Sequence, residues 1–371
     1  MSDLISDPLP RVSALIHAGV TTGLHIGAQI YVSINGQPVV NAAYGQSRVG
    51  IPMRPDTLIL WQSSTKPISA VAIAQQYERG KLDLDDRVAL HIPAFAAGGK
   101  EAITIRHILT HTGGFRGAML VWTSDPWDDV ISQICATRLE TAWVPGEKAG
   151  YHLMGSWQIL GEIVRRVDRR PFEQYVREEI FLPLGMNDSW LGMPVAEYRA
   201  YGDRIGYLHN TTGAVPQPSF PADTESGCSL CRPPSNGHGP IRELGFFYEM
   251  VLNKGERNGS RIVSAQTVDL FTSRHRIGMF DHTFKHTMDW CLGFIPDNNR
   301  YGVETIQYGY GPHCSAETVG HSGFQSSVGF ADPAHGLAAA VLFNGCPGPE
   351  KHNVRMRQVA AVLYEDLGLA T

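Results

Sequence analysis

A chain of 371 residues with 43% hydrophobic and 18% charged residues is long and apolar enough for a globular protein with a large core. Its net charge of −5 and its lack of a run rich in lysine and arginine argue against a nucleic-acid partner. No apolar run approaches the ~18 residues of a membrane span. Residues 1–8 also lack the basic and apolar regions of a secretory signal.

The six cysteines are spread over residues 135–346 of a large chain, which is typical of reduced thiols rather than of a disulfide framework. We therefore expect a cytoplasmic protein with neither a nucleic-acid nor a membrane partner. A mature domain cut from a secreted precursor would have the same composition. The oligomeric state has no signal in the sequence.

A hairpin and a helix are predicted within the first 80 residues. Residues 25–34 alternate and are rich in isoleucine and valine, Asn35-Gly36 follows, and residues 37–44 complete the pattern. Because Asn-Gly readily takes the positive φ angles of a type I′ turn, this pattern predicts two paired strands. A helix then begins at or near Ser63, and Gly80 ends it.

The remainder of the chain is first mainly helical and then mainly strand. Sheet segments at both chain ends, with helices between them, predict a mixed α/β (α+β) fold. It consists of an antiparallel sheet flanked by helices, built from residues 1–78 and 300–371, with a mainly helical domain inserted at 79–299. The predicted elements are helices at 104–111, 155–167, 172–181, 242–252 and about 352–367, an irregular loop at about 192–240, and strands at 303–308, 325–331 and 337–343.

Ser63 and Lys66 make an S-x-x-K pair at the start of the first predicted helix. Residues three apart share a helix face, so the lysine amine would lie beside the serine hydroxyl, where the helix end is electropositive. A serine hydroxyl is a poor nucleophile until a neighbouring base takes its proton. A lysine can be that base if burial and positive potential lower its pKa. The alternative is a helix-capping serine followed by a surface lysine.

Two other patterns resemble metal-ligand spacings. His107 and His111 are spaced i, i+4, but neither the glutamate of H-E-x-x-H nor a third ligand accompanies them. Cys228 and Cys231 form C-x-x-C near His238, without a second such pair or a thioredoxin-like context. We therefore predict no metal and no cofactor, and we place the cysteines in a loop at the active site. A zinc or redox role is the alternative.

Three motifs follow one another along the chain, and together they resemble a known family. They are Ser63-x-x-Lys66, Tyr151 after a Pro-Gly turn, and His321-Ser322-Gly323. With the stretches at 104–114 and 172–186, they resemble the serine β-lactamase and penicillin-binding-protein superfamily over nearly the whole chain. The class C-like branch, with the family VIII carboxylesterases and related transesterases, is the most similar. The resemblance implies a β-lactamase/transpeptidase-like fold.

The resemblance also implies a role for each motif. Ser63 matches the acylated nucleophile, Lys66 its base, and Tyr151 a proton relay, provided that nearby cations lower the pKa of the phenol. The backbone N–H groups of Ser63 and Phe324 would form an oxyanion hole. The residues that we place in substrate binding are His321, Ser322, Gly323 and His152, together with Trp122 from a tryptophan-rich stretch that is interpreted as a pocket wall.

Two positions depart from the family's usual motifs. The penicillin-recognising members usually carry lysine in the third motif and Tyr-x-Asn in the second, whereas this chain has His321 and Leu153. Histidine is largely neutral at pH 7 unless a carboxylate raises its pKa, and a leucine side chain forms no hydrogen bonds. Both changes weaken recognition of an acylamido carboxylate and favour an uncharged or apolar acyl group.

The predicted function is therefore a serine hydrolase or acyltransferase that acts on an ester or amide of a small metabolite. Water, an alcohol or an amine would accept the acyl group. A β-lactamase or D-alanyl carboxypeptidase is the first alternative. A non-catalytic binding protein on the same fold is the second, and the presence of Ser63, Lys66 and Tyr151 argues against it.

Overall fold

A seven-stranded sheet lies at the centre of the computed structural model, which describes residues 7–118 and 125–370. Its strands come from both ends of the chain, and every neighbouring pair is antiparallel, as predicted. In spatial order the strands are Ile295–Pro296, Val319–Ser322, Ser327–Asp332, Leu337–Phe343, Gly27–Ile34, Gln37–Arg48 and Ile51–Pro52.

The predicted hairpin is present in this sheet. Asn35 and Gly36 have φ angles of 51° and 73°, as the turn between its strands requires. The strand Gly27–Ile34 lies inside the sheet between Leu337–Phe343 and Gln37–Arg48. Its residues are buried on both faces up to the half-buried last one, including the polar residues Gln29 and Ser33.

Helices cover both faces of the sheet. On one face, Ile30 packs in a cluster with the helices Pro10–Thr21 and Pro349–Asp366. On the other face, the Tyr31 hydroxyl donates a 2.6 Å hydrogen bond to a glutamate of the helix Ile241–Leu252. The helices of the two chain ends and one from the middle of the chain therefore enclose the same sheet.

Most of the α-helices in the described ranges lie in the middle of the chain, where they alternate with short strands and irregular segments. The assignment of residues 1–78 and 300–371 to one domain and of 79–299 to another stays a prediction. No helix in the described ranges is both long and apolar enough to cross a membrane, and a cytoplasmic location stays a prediction. The α-helices are Pro10–Thr21, Lys66–Glu78, Val88–His91, Ile105–Leu109, Trp127–Ala136, Gly155–Asp168, Phe172–Val176, Val195–Tyr201, Glu225–Cys228, Ile241–Leu252, Ala265–Thr272 and Pro349–Asp366.

Shorter strands form small sheets outside the central one. One of them places Gly237–Gly239 between Ile59–Leu60 and Trp190–Leu191. The end of the stretch that we predict as irregular is therefore a buried strand next to the S-x-x-K segment. The other short strand pairs are Arg276–Asp281 with His286–Trp290, Glu256–Arg257 with Ser260–Arg261, and His209–Asn210 with Gln217–Pro218 and Gly345–Cys346.

The predicted strand at residues 303–308 is wrong. Residues 303–305 form a turn, and the backbone that follows pairs with no strand in the described part of the chain. Positive φ angles, 111° at Gly302 and 61° at Tyr308, bound this segment and are incompatible with an extended strand. The strand in this part of the chain is instead Val319–Ser322, which carries the third motif.

Candidate active site

The S-x-x-K pair lies where a tight turn meets a helix. Gln62 has a φ of 56°, which is uncommon for a residue with a side chain. The 3₁₀ turn Gln62–Thr65 follows, and the α-helix Lys66–Glu78 continues from it. Ser63 is partly exposed whereas Lys66 is fully buried. The turn therefore presents the serine to solvent and directs the lysine into the protein.

The Lys66 amine has three polar neighbours. Its Nζ lies 3.1 Å from Ser63 Oγ, 3.0 Å from the carbonyl oxygen of Leu153 and 3.1 Å from that of Pro234. Within residues 7–118 and 125–370, no carboxylate forms an ion pair with it. Burial, which disfavours the charged form, lowers the pKa of Lys66 well below its usual value.

This arrangement suits both protonation states of the lysine. As a free amine, Lys66 has two N–H donors for the carbonyl oxygens of Leu153 and Pro234, and its lone pair faces the Ser63 hydroxyl. As an ammonium, it has three donors for the same three oxygens. A proton can therefore move from the serine to the lysine without any rearrangement of the surrounding groups.

Tyr151 lies beside this pair in a segment without regular structure. Its ring centroid is 5.0 Å from Lys66 Nζ, and its hydroxyl is near enough to Ser63 for that side chain to influence its pKa. The condition attached to the proton-relay role of Tyr151, a phenol pKa lowered by nearby cations, is not met. Burial raises the pKa of the Tyr151 phenol above its usual value, and the nearby Ser63 side chain offsets only part of this effect. Tyr151 is therefore a neutral phenol that can donate a proton.

The strand of the third motif is attached directly to the nucleophile segment. The Ser64 hydroxyl donates to the carbonyl oxygen of His321 at 3.2 Å, and the Ser327 hydroxyl donates to that of Trp61 at 2.6 Å. A Cβ atom on Gly323 would lie 2.3 Å from the Trp61 oxygen. Glycine is therefore required at this position because two backbone segments touch there.

His321 is neutral, as expected from its replacement of lysine. Burial and the nearby Lys66 lower the pKa of the imidazole to about 3. Its Nδ1 lies 2.9 Å from the carbonyl oxygen of Ser322, which identifies Nδ1 as the protonated nitrogen. The third motif consequently supplies no positive charge to the site at neutral pH.

Phe324 follows the third motif at a turn whose next residue, Gln325, has a φ of 50°. The Phe324 side chain is 47% exposed. Among the described residues, neither its backbone N–H nor that of Ser63 has an acceptor. Both amides are therefore free to donate, and their use as an oxyanion hole stays a prediction.

The remaining predicted substrate-binding residues lie in different surroundings. The His152 ring is buried against Phe115, with ring centroids 4.7 Å apart, and burial lowers its pKa to about 3. Ser322 lines a small cavity under the C-terminal helix. Trp122 lies outside the described residues. Direct contact of these side chains with substrate stays a prediction.

Several residues around the site have no motif in the sequence. The segment 233–239 runs beside the nucleophile helix, and the carbonyl oxygens of Pro233 and Pro234 accept hydrogen bonds from Ser69 and Lys66. His111 packs on Tyr151 with ring centroids 4.5 Å apart. For His111 the sequence signal is the T-I-R-H-I-L-T-H-T stretch that contains it. For Pro233 and Pro234 the sequence has no such signal.

Neither the His107 and His111 pair nor the Cys228 and Cys231 pair lies with further side chains that would complete a metal site. His107 Nδ1 accepts a hydrogen bond from the Thr104 N–H at the start of its helix, while His111 faces Tyr151. Cys228 Sγ lies 3.4 Å from a nitrogen of the buried His238. In the part of the chain that the structure describes, no group of three or more histidine, cysteine and carboxylate side chains is arranged to hold a metal ion.

The fold of this chain has counterparts in other proteins. Residues 12–364 match the family model described as Beta-lactamase. The Esterase/beta-lactamase LipL of Mycobacterium tuberculosis is 27% identical over 351 residues, which cover 87% of this chain and 78% of LipL.

Two solved structures resemble the protein over almost its whole length. A family VIII carboxylesterase has a TM-score of 0.79 and 27% identity, and the match covers 97% of this chain and 98% of that chain. A penicillin-binding protein homologue from Caulobacter crescentus has a TM-score of 0.79 and 26% identity, with the same coverage.

Proposed function

We propose, since this chain belongs to the Beta-lactamase family, that it is a serine esterase acting through an acyl-Ser63 intermediate. The family and fold predicted from the sequence are confirmed by the family match and by the structural neighbours. Relatives described as esterases support a hydrolase on this fold. The observation that carries the proposal is the 3.1 Å contact between Ser63 and a buried lysine that lacks a carboxylate partner among the described residues.

Acylation follows from the positions of three side chains. Ser63 Oγ attacks the ester carbonyl carbon, and its proton passes to the Lys66 amine. The N–H groups of Ser63 and Phe324 stabilise the oxyanion. As the C–O bond breaks, the Tyr151 phenol gives its proton to the leaving alkoxide, and the Lys66 ammonium returns a proton to Tyr151. The products are acyl-Ser63 and an alcohol, with Lys66 and Tyr151 in their starting states.

Deacylation repeats these steps in reverse with a new nucleophile. A water molecule attacks the acyl carbon, its proton passes through Tyr151 to Lys66, and Ser63 Oγ leaves with the proton that Lys66 holds. An alcohol or an amine in place of water would make the enzyme an acyltransferase. The acyl donor is a small-molecule ester in either case.

The surroundings of Ser63 favour an uncharged, apolar acyl group. His321 provides a neutral imidazole where a lysine would attract a carboxylate. Two residues next to the reacting groups have exposed apolar side chains. They are Leu153, which is 41% exposed, and Phe324. Apolar side chains that stay exposed beside a reactive centre are suited to bind an apolar part of a substrate.

Turnover of model substrates tests the proposal directly. The protein would be incubated with p-nitrophenyl esters of increasing chain length and with a chromogenic cephalosporin, while intact mass is followed beside absorbance. We expect ester hydrolysis with a transient acyl adduct, and no adduct in Ser63→Ala. Efficient cephalosporin turnover would instead favour a β-lactamase, and an adduct that persists in Ser63→Ala would remove Ser63 from the mechanism.

A further inference from the structure

His111 occupies an unusual backbone conformation next to Tyr151. It follows the helix Ile105–Leu109 and has a φ of 57°, in the left-handed region, which is uncommon for residues other than glycine although histidine is enriched there. Its side chain is fully buried. Strained conformations of this kind persist where surrounding contacts hold them, and they are common at functional sites.

The contacts of His111 lie on both sides of Tyr151 in the sequence. The Gly150 N–H donates a 2.9 Å hydrogen bond to the His111 carbonyl oxygen, and the His152 N–H donates a 3.0 Å hydrogen bond to His111 Nδ1. The His111 ring packs on the Tyr151 ring between these two hydrogen bonds. One residue therefore fixes the backbone before and after Tyr151 and contacts its ring.

Two other side chains hold the backbone of Tyr151 itself. Its N–H donates a 3.1 Å hydrogen bond to Asp281, and its carbonyl oxygen accepts a 2.9 Å hydrogen bond from the Thr283 hydroxyl. Residues 150–153 have no helix or strand hydrogen bonds of their own. The orientation of Tyr151 therefore depends on these side-chain contacts.

We propose that His111 is a positioning residue for Tyr151, and that it acts as the neutral tautomer with its proton on Nε2. Nδ1 is the acceptor of the His152 N–H, so Nδ1 carries no proton. Burial and the neighbouring Lys66 and Arg276 lower the pKa of His111 well below its usual value, which maintains this neutral form. The proposal rests on the proposed function, because it gives His111 a role only through the proton transfer by Tyr151.

Two substitutions separate the hydrogen bond from the packing. His111→Asn keeps a side-chain acceptor, and asparagine tolerates a positive φ. His111→Leu keeps the bulk but removes the acceptor. We expect kcat for a p-nitrophenyl ester to fall about 10- to 100-fold in His111→Leu, the scale of a small misplacement of a catalytic group. In His111→Asn we expect a loss below about fivefold, and KM should change little in either variant.

His107→Leu is the matched control. His107 lies one turn earlier, and its Nδ1 also accepts a backbone N–H, that of Thr104, but it does not contact Tyr151. We expect kcat to stay near the wild-type value. Thermal melting of each variant shows whether it is folded. If His111→Leu does not fold, His111→Gly replaces it, because glycine accepts a φ of 57° and also lacks the acceptor.

A double-mutant cycle with Tyr151→Phe tests whether the kcat loss in His111→Leu depends on the Tyr151 phenol. If His111 acts through Tyr151, His111→Leu should cost less than about threefold in kcat when the phenol is already absent. Equal losses with and without Tyr151→Phe, or a His111→Leu variant as active as wild type, would overturn the proposal for His111. If instead Tyr151→Phe alone leaves kcat unchanged, the proposed mechanism itself fails.

Discussion

Ser63 and Lys66 lie on a turn and helix, whereas Tyr151 lies in the segment 150–153, which has no regular structure. The first pair is brought together by helix geometry, because residues three apart share a face. Tyr151 is held by side chains from distant parts of the chain. The two segments thus meet at one site, but one of them depends on local structure and the other on tertiary contacts.

Although the two segments are positioned differently, burial acts on both proposed proton carriers. The helix buries Lys66 against carbonyl oxygens without a carboxylate partner in the described residues, so its pKa falls and the neutral amine is favoured. The buried Tyr151 has a raised pKa, so the protonated phenol is favoured. Burial therefore makes both groups neutral, one as a base and the other as an acid.

Removing the Lys66 amine or the Tyr151 hydroxyl should give the largest loss of activity that we expect. Lys66→Ala and Tyr151→Phe should each lower kcat/KM for a p-nitrophenyl ester by about 10²- to 10⁴-fold, the usual scale for acid–base groups. Initial rates at saturating and limiting ester concentration provide the measurement. Near-wild-type turnover in either variant would remove that residue from its role.

The contact between the third motif and the nucleophile segment predicts a smaller effect, on stability. In Gly323→Ala the added Cβ would lie 2.3 Å from the Trp61 carbonyl oxygen, so the backbone must move. We expect the free energy of unfolding to fall by about 1–3 kcal/mol. Denaturant unfolding measures this change. Gly213→Ala, where nothing lies within 4 Å of the added Cβ, serves as the control and should change it by less than about 0.5 kcal/mol.

A wild-type stability of Gly323→Ala would show that the two segments can separate freely. In that case the third motif would not be positioned by the nucleophile turn, and the Phe324 N–H would not be held in place to stabilise an oxyanion.

His321→Ala should have the smallest effect. The imidazole is neutral and shapes the site without transferring a proton in the proposed mechanism. We expect kcat/KM for a p-nitrophenyl ester to change by less than about tenfold, below the usual range for an acid–base group. A loss as large as that in Tyr151→Phe would mean that His321 takes part in proton transfer.

The parts of the fold that depend on local patterns are predictable from the sequence. Asn35-Gly36 identifies the hairpin, and the strand at 337–343 has the predicted limits. The helix expected at or near Ser63 is present and begins at Lys66, after the 3₁₀ turn Gln62–Thr65, because helix-forming residues follow the S-x-x-K pair. In each case, a few neighbouring residues determine the backbone conformation.

The parts that depend on contacts between distant residues are not predictable in this way. Pro234 contacts Lys66 across a separation of 168 residues, and no motif marks the proline. The raised pKa of Tyr151 depends on burial, which spacing does not reveal. The strand predicted at 303–308 fails because Tyr308 takes a positive φ that its residue type does not suggest.

The pH dependence of Ser63 labelling by a fluorophosphonate tests the central claim, that a neutral Lys66 activates Ser63. The neutral fraction of Lys66 rises with pH through its lowered pKa, so the labelling rate should rise along one ionisation below pH 10.5, the ordinary lysine value. Lys66→Ala should lack this ionisation and label slowly at every pH. A labelling rate in Lys66→Ala that matches wild type across the pH range would contradict the account.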